Sequence, residues 1–259
     1  MKFAWQLRHS VFHIYLKIRR LHVSSAESVM EKTNLNVELR EKLNRSSGLI
    51  KRAMDLYSPT EWIVSFNGGK DCTVMLDIMA KMKPPAVTLR AVYVKSLDPF
   101  EEMEKFIHAS SQRYGMQLRR YNGILKLAIE QLVAEEPQLK AVFLGCRHSD
   151  PGCSNLAEMM PCDNGWPPLM RIFPLLEWSY HDIWSYLRAY SLPYCSLYDQ
   201  GYTSLGDRHS THLNPSLLVY DKKLGKLTYR AAYELEDSRL ERANRIESGQ
   251  VSAEKLEKK

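Results

Sequence analysis

The string Ser65-Phe66-Asn67-Gly68-Gly69-Lys70-Asp71-Cys72 combines residue types that suit binding of a phosphate chain. Paired glycines let the backbone turn sharply and come close to a ligand. Where such a turn opens a helix, the exposed N–H groups and the helix N-terminus form an anion site. Lys70 adds a point charge, and Asp71 either contacts the ligand machinery or caps the helix. The string is not a Walker A loop, which needs four residues between its first Gly and the closing Gly-Lys-Ser/Thr, and it lacks the G-x-G-x-x-G of dinucleotide folds. A second string, Gly145-Cys146-Arg147-His148-Ser149-Asp150-Pro151, holds a charged pair, Arg147 and Asp150, in a tight Gly-to-Pro loop. Arg171 carries a guanidinium matched to phosphate, although a carboxylate would satisfy it equally well. The sequence offers no obvious nucleophilic triad and no obvious paired-carboxylate site.

These strings need a scaffold, and the hydrophobic pattern supplies one. Residues 35–57 read as a helix, with Leu35, Leu39, Leu43, Ile50, Met54 and Tyr57 near helical spacing. Trp62–Phe66 is an apolar, β-forming run that suits a buried parallel strand. The pattern then predicts a helix over Cys72–Lys81, a strand over Thr88–Val94, a helix from Pro99 to Tyr114 and a strand over Met116–Tyr121. A helix over Ile124–Glu135 and a strand over Ala141–Leu144 follow. Alternation of this kind predicts an α/β fold, an open and mostly parallel sheet with helices on both faces. Residues 146–168 read as a long loop, Met170–Leu176 returns to apolar structure, and Ser179-x-x-Asp182 is a capping-box start for a helix over Tyr180–Tyr190. Residues 193–214 look loop-like, and 233–259 read as a charged arm, helical at first and frayed at its end.

Composition narrows the classes. At 44% hydrophobic and 25% charged residues the chain is ordinary globular protein, which excludes collagen-like and wholly disordered readings. Five cysteines without a C-x-x-C pair (Cys72, Cys146, Cys153, Cys162, Cys195) argue against a disulfide framework, a zinc ribbon or a thioredoxin centre. The net charge of +6 comes mostly from residues 1–26, which hold five of the 36 Lys and Arg and no acid; 31 basic residues then face 30 acidic ones. That near-neutrality gives no sign of a nucleic-acid surface. The basic, acid-poor leader fits a mitochondrial transit peptide or an amphipathic helix packed on the body, which leaves cytoplasm and mitochondrial matrix both open. The body carries no apolar run of membrane-spanning length. Residues 27–259 then read as one domain with a charged tail.

The phosphate string resembles the PP-loop of the ATP pyrophosphatase superfamily, written S-G-G-x-D-S/T, with Asn67 and Cys72 at its first and last positions. Within that superfamily the chain resembles the eukaryotic FAD synthases, PAPS reductase-like enzymes that make FAD from FMN and ATP. The resemblance covers most of residues 60–245. It rests on the two strings above, on Gly165-Trp166-Pro167, on Met170–Trp178, on Pro193-Tyr194-Cys195 and on Tyr198-Asp199-x-Gly201-Tyr202-Thr203-Ser204-Leu205-Gly206. Phe173 and Glu177 depart from the usual residues, and Asp163-Asn164 lies in a variable loop. A sulfonucleotide reductase would need a reactive C-terminal cysteine, yet Cys195 is the last one.

The resemblance implies roles. Ser65, Phe66, Asn67, Gly68, Gly69, Lys70, Asp71 and Cys72 would hold the ATP phosphates, Asn67, Lys70 and Asp71 being counted as catalytic together with Arg171. Val94 would lie at the adenine, and Gly145, Arg147 and Asp150 would complete the ATP site. Asp163, Asn164, Gly165 and Trp166 would meet the flavin, Arg171 the FMN phosphate, and Arg242 and Arg245 would fold over the site from the C-terminal arm. Magnesium would arrive on the substrate phosphates, with the metal ligands otherwise unknown. The partners would be small molecules and recipient apo-flavoproteins, with no nucleic acid and no membrane. Competing readings are a PP-loop enzyme that adenylates sulfate or a tRNA base, and a noncatalytic nucleotide- or flavin-binding module.

Overall fold

A computed structural model describes residues 35–246. The leader 1–26 and the end of the charged tail lie outside the described residues. Helix α1 spans Val37–Leu56 and buries Leu39, Leu43, Leu49, Ile50 and Ala53. Strand β1 (Trp62–Ser65) leads through the phosphate string into α2 (Lys70–Met82). Then come β2 (Arg90–Lys95), α3 (Glu101–Arg113), β3 (Gln117–Asn122), α4 (Leu125–Glu135) and β4 (Ala141–Phe143). Beyond them lie β5 (Met159–Pro161), β6 (Met170–Ile172), α5 (Tyr180–Ala189) and a hairpin of β7 (Leu218–Asp221) with β8 (Lys226–Tyr229).

Six strands form one sheet in the order β3-β2-β1-β4-β6-β5. All its pairs are parallel except β5 with β6. The chain builds β1, β2 and β3 outward, then returns past β1 to lay down β4. Because crossovers are right-handed, this return puts α4 on the face opposite α2 and α3. Ala128 and Leu132 of α4 pack on that face with Ile63, Val92, Val142 and Leu169. Helix α2 packs against α1 and α5. The reversal between β1 and β4 is a topological switch point, where loops diverge and leave a crevice at the strands' carboxyl ends.

Several expectations are corrected. Residues 146–168 are not all loop, since Met159–Pro161 pairs as an edge strand, a place where Pro161 costs no ladder bond. The arm after residue 233 does not start as an α-helix. It runs as short 3-10 turns at Ala232–Glu234 and Ser238–Leu240, the second begun by the Asp237 side chain accepting from the Arg239 N–H. The 193–214 region contains 3-10 turns at Ser196–Gln200 and Arg208–Ser210. The capping box at Ser179 and Asp182 is formed as read. No described helix is long and apolar enough to cross a membrane.

Candidate active site

At the carboxyl end of β1 the chain turns through Gly68 at φ +76°, a left-handed conformation that favours glycine. A Cβ there would also lie 2.5 Å from the Met103 sulfur. Asn67 is exposed, and its Oδ1 accepts from the Gly69 N–H at 3.0 Å and from the Cys72 thiol at 2.9 Å, which fixes the loop. Phe66 is buried, and Ser65 is half-buried. From the far side of the switch point Gly145 comes so close that a Cβ would lie 3.0 Å from the Cys72 nitrogen. Burial pushes the Cys72 thiol up to about 12, so it stays protonated and is no nucleophile.

The charged residues of the two loops meet in one buried cluster. Lys70 is 3% exposed; its ammonium pairs with Asp71 Oδ2 at 2.9 Å and with Glu241, and lies 5.2 Å from the centre of the Tyr180 ring. Its backbone N–H donates to the Tyr198 hydroxyl at 3.0 Å. Arg147, 1% exposed, places Nε 2.8 Å from Asp71 Oδ1 and donates through Nη2 to Asp150 at 2.9 Å and to both Glu241 oxygens at 2.8 Å. Its Nη1 is buried without a hydrogen-bond partner. Burial opposes ionisation of Asp71, but the Lys70 and Arg147 charges outweigh it and hold the carboxyl below its ordinary range. Asp150 differs. Burial raises it, the Arg147 charge only partly compensates, and the nearby Asp71 and Glu241 carboxylates push the same way as burial.

The C-terminal arm supplies Glu241 and holds the neighbouring arginines. Arg242 is exposed and Arg245 half-buried, and both donate to Ser204 Oγ, at 3.4 and 3.3 Å. Beside Glu241 and Arg242 lies a cavity of about 450 Å³, also lined by His148, Ser149, Tyr180 and Ser238. Small-molecule sites commonly span about 300–1,000 Å³.

The residues expected to meet the flavin form a separate group. Asp163, Asn164, Gly165 and Trp166 are exposed, Trp166 by 38%. Arg171, on β6, takes the carboxylate option that its sequence left open, donating to both Asp163 oxygens at 3.1 and 3.0 Å and to the Pro161 carbonyl at 2.9 Å. Its Nε is buried without a hydrogen-bond partner. Gly165 faces Lys126, whose Nζ would sit 3.8 Å from an added Cβ. Among the described residues no hydrogen bond or ion pair joins this group to the Lys70 cluster. Val94 sits half-buried on β2, in register with Tyr121.

Sequence reading missed Glu241, Tyr180, Tyr198 and His148. Glu241 gave no signal beyond its place next to Arg242, because its partners lie 171 and 94 residues away. Among the described residues no group of three or more His, Cys, Asp or Glu is arranged to hold a metal ion. Asp71 and Asp150 are half-buried carboxylates beside the loop, both paired with Lys70 or Arg147; carboxylates are the donors a phosphate-borne magnesium takes, one or two at a time.

Comparison with known proteins bears on this arrangement. Residues 61–124 and 117–213 match the phosphoadenosine phosphosulfate reductase domain. The chain is 36% identical over 241 residues to a probable FAD synthase of Schizosaccharomyces pombe, covering 90% of this chain and 87% of that one. It is 34% identical over 214 residues to a probable FAD synthase of Caenorhabditis elegans, covering 81% of this chain but 41% of that longer protein. It therefore spans about two fifths of the nematode relative's length. The crystal structure of the Candida glabrata FMN adenylyltransferase superposes with a TM-score of 0.78 at 27% identity, covering 88% of this chain and 96% of that one. That protein has also been crystallised with FMN and the ATP analog AMPCPP.

Proposed function

The chain belongs to the FAD synthases of the phosphoadenosine phosphosulfate reductase domain family, and from that premise we propose that it is an FMN adenylyltransferase, joining ATP and FMN into FAD with release of pyrophosphate. The observation that carries the reading is the strand-borne phosphate loop at the switch point, closed by Gly145 and faced by Arg147 and Asp150. The Candida glabrata protein's complex with FMN and AMPCPP supports the same substrate pair.

In this reading an oxygen of the FMN phosphate attacks the α-phosphorus of ATP in line. The new P–O bond forms as the bond to the β-phosphate oxygen breaks, and pyrophosphate leaves with the electron pair. The attacking phosphate needs no base, because a phosphate monoester loses its second proton at a pKa of about 6. The main chain of Asn67–Asp71 and the α2 N-terminus hold the β- and γ-phosphates. Arg147 lends its charge to the phosphate side, Asp71 and Asp150 would be the carboxylates to hold a phosphate-borne magnesium, and Val94 marks the adenine end. Magnesium, brought by the phosphates, would supply charge neutralisation. Trp166 covers the flavin ring, and Asp163 and Asn164 meet its polar edge. Arg171, oriented by Asp163, lends its charge to the FMN phosphate, and Arg242 and Arg245 neutralise the transferring phosphoryl group.

Incubation of the pure protein with FMN, ATP and magnesium should yield FAD and pyrophosphate on chromatography; absence of FAD under all conditions overturns the proposal. The product would pass to apo-flavoproteins in the cytoplasm or the mitochondrial matrix. Fusing residues 1–26 to a fluorescent reporter decides between those compartments.

A further inference from the structure

We propose that Glu241 is a positioning residue for adenylyl transfer: its carboxylate latches the C-terminal arm onto the phosphate loop and thereby sets Arg242 and Arg245 over the site. Lys70 and Arg147 are the other half of the latch. The proposal rests on the adenylyltransferase reading for its kinetic half and on the structure alone for the docking half.

The ammonium of Lys70 has three donors. Asp71, Glu241 and the face of Tyr180 surround it, at 3% exposure, so Lys70 serves the phosphates only through these neighbours. Arg147 grips both oxygens of Glu241 at 2.8 Å. The two cations would already be balanced by Asp71 and Asp150. Glu241 is a third carboxylate against two cations, and an excess buried charge is costly unless its geometry is used. Its use is visible in what surrounds it. The Glu241 carbonyl accepts from the Thr203 hydroxyl at 2.6 Å, and Asn214 donates to Thr203 Oγ1 at 2.7 Å and to the Leu240 carbonyl at 2.8 Å. Asn244 donates to the Ser204 and His212 carbonyls, both at 2.9 Å. Ser204 takes both arm arginines, and Gly206 is bare where a Cβ would lie 2.1 Å from the Arg245 guanidinium. The Tyr202–Gly206 segment is thus the seat of the arm, and Glu241 is the side chain that fastens the seated arm to the loop.

The test compares Glu241→Ala and Glu241→Gln in the full chain, alone and combined with Arg245→Ala. Glu241→Ala should lower kcat about tenfold with a smaller change in the KM for ATP, and Glu241→Gln, which keeps an acceptor for Arg147, should recover most of that loss. Added to Arg245→Ala, Glu241→Ala should cost clearly less than its tenfold effect in the parent, since only Arg242 is left for it to position. Trypsin should cut Glu241→Ala after Arg239, Arg242 or Arg245 at least several-fold faster than the parent protein, and Glu241→Gln close to the parental rate. A fully multiplicative loss in the double variant, or parental trypsin resistance in Glu241→Ala, overturns the proposal. If the parent protein makes no FAD at all, the functional reading fails separately, and the trypsin comparison still decides whether Glu241 fastens the arm.

Discussion

The Lys70 cluster and the Asp163–Trp166 loop use the same kinds of residue in opposite ways. Around Lys70 a buried lysine, arginine and glutamate pair with two half-buried aspartates across three distant stretches of chain. At the loop, Arg171 holds an Asp163 that is 70% exposed, beside an exposed tryptophan. The first region fixes its shape before any ligand arrives, because breaking a buried charge pair is expensive. The second can adapt, because an exposed pair contributes about 0–1 kcal/mol. The difference separates a preorganised end, proposed for the phosphates, from an adaptable end, proposed for the flavin.

Lys70→Met should have the largest effect. It leaves the carboxylates undercompensated, and stability should fall by about 3–5 kcal/mol, a Tm loss on the order of 10 °C, together with weaker ATP use. A calorimetric Tm within two degrees of the parent would end the claim that this region is rigid by charge. Trp166→Ala should instead leave Tm unchanged while raising the KM for FMN about tenfold, worth about 1.4 kcal/mol of ring contact. Loss of Tm without loss of FMN affinity would place the tryptophan among packing residues. Arg171→Lys removes the two-pronged grip on Asp163 and should raise the KM for FMN about threefold, with the KM for ATP unaffected.

The smallest effects divide the phosphate end itself. Asp71 is depressed, so its stabilisation is present above the ordinary carboxylate pKa and is lost as pH falls through its folded value. Asp71→Asn should therefore destabilise at pH 7, and progressively less as pH falls below the ordinary carboxylate range. Asp150 is raised, so its charged form is a burden above its folded pKa. Asp150→Asn should raise Tm by about a degree or two at pH 7, a gain that disappears in acid, while adenylyl transfer falls. Thermal melts across pH read both. The same sign for both variants would show that the two carboxylates are equivalent.

Much of the first region was legible in the sequence. The apolar run Trp62–Phe66, the glycine pair and the Gly145–Pro151 string announce a strand, a turn and a second loop through local rules, and the alternation of elements sets the sheet. The commitment of Lys70 was not legible. A lysine after two glycines looks like a free phosphate ligand until the chain's far end brings a carboxylate to it. The arm misled for a related reason, because its charge pattern suits a helix while its geometry is set by Thr203, Ser204 and Asn214, which no local window contains. The edge strand β5 was masked by its short length and by Pro161. Arg171 and Asp163 sit only eight residues apart, yet a hairpin is needed to bring them face to face.

The latch also has a consequence for the order in which the protein is made. A ribosome delivers Lys70 and Arg147 well before Glu241, so a nascent chain can complete its six-stranded sheet while the binding crevice still lacks its last wall. Substrate capture is then reserved for polypeptides whose synthesis has passed Glu241.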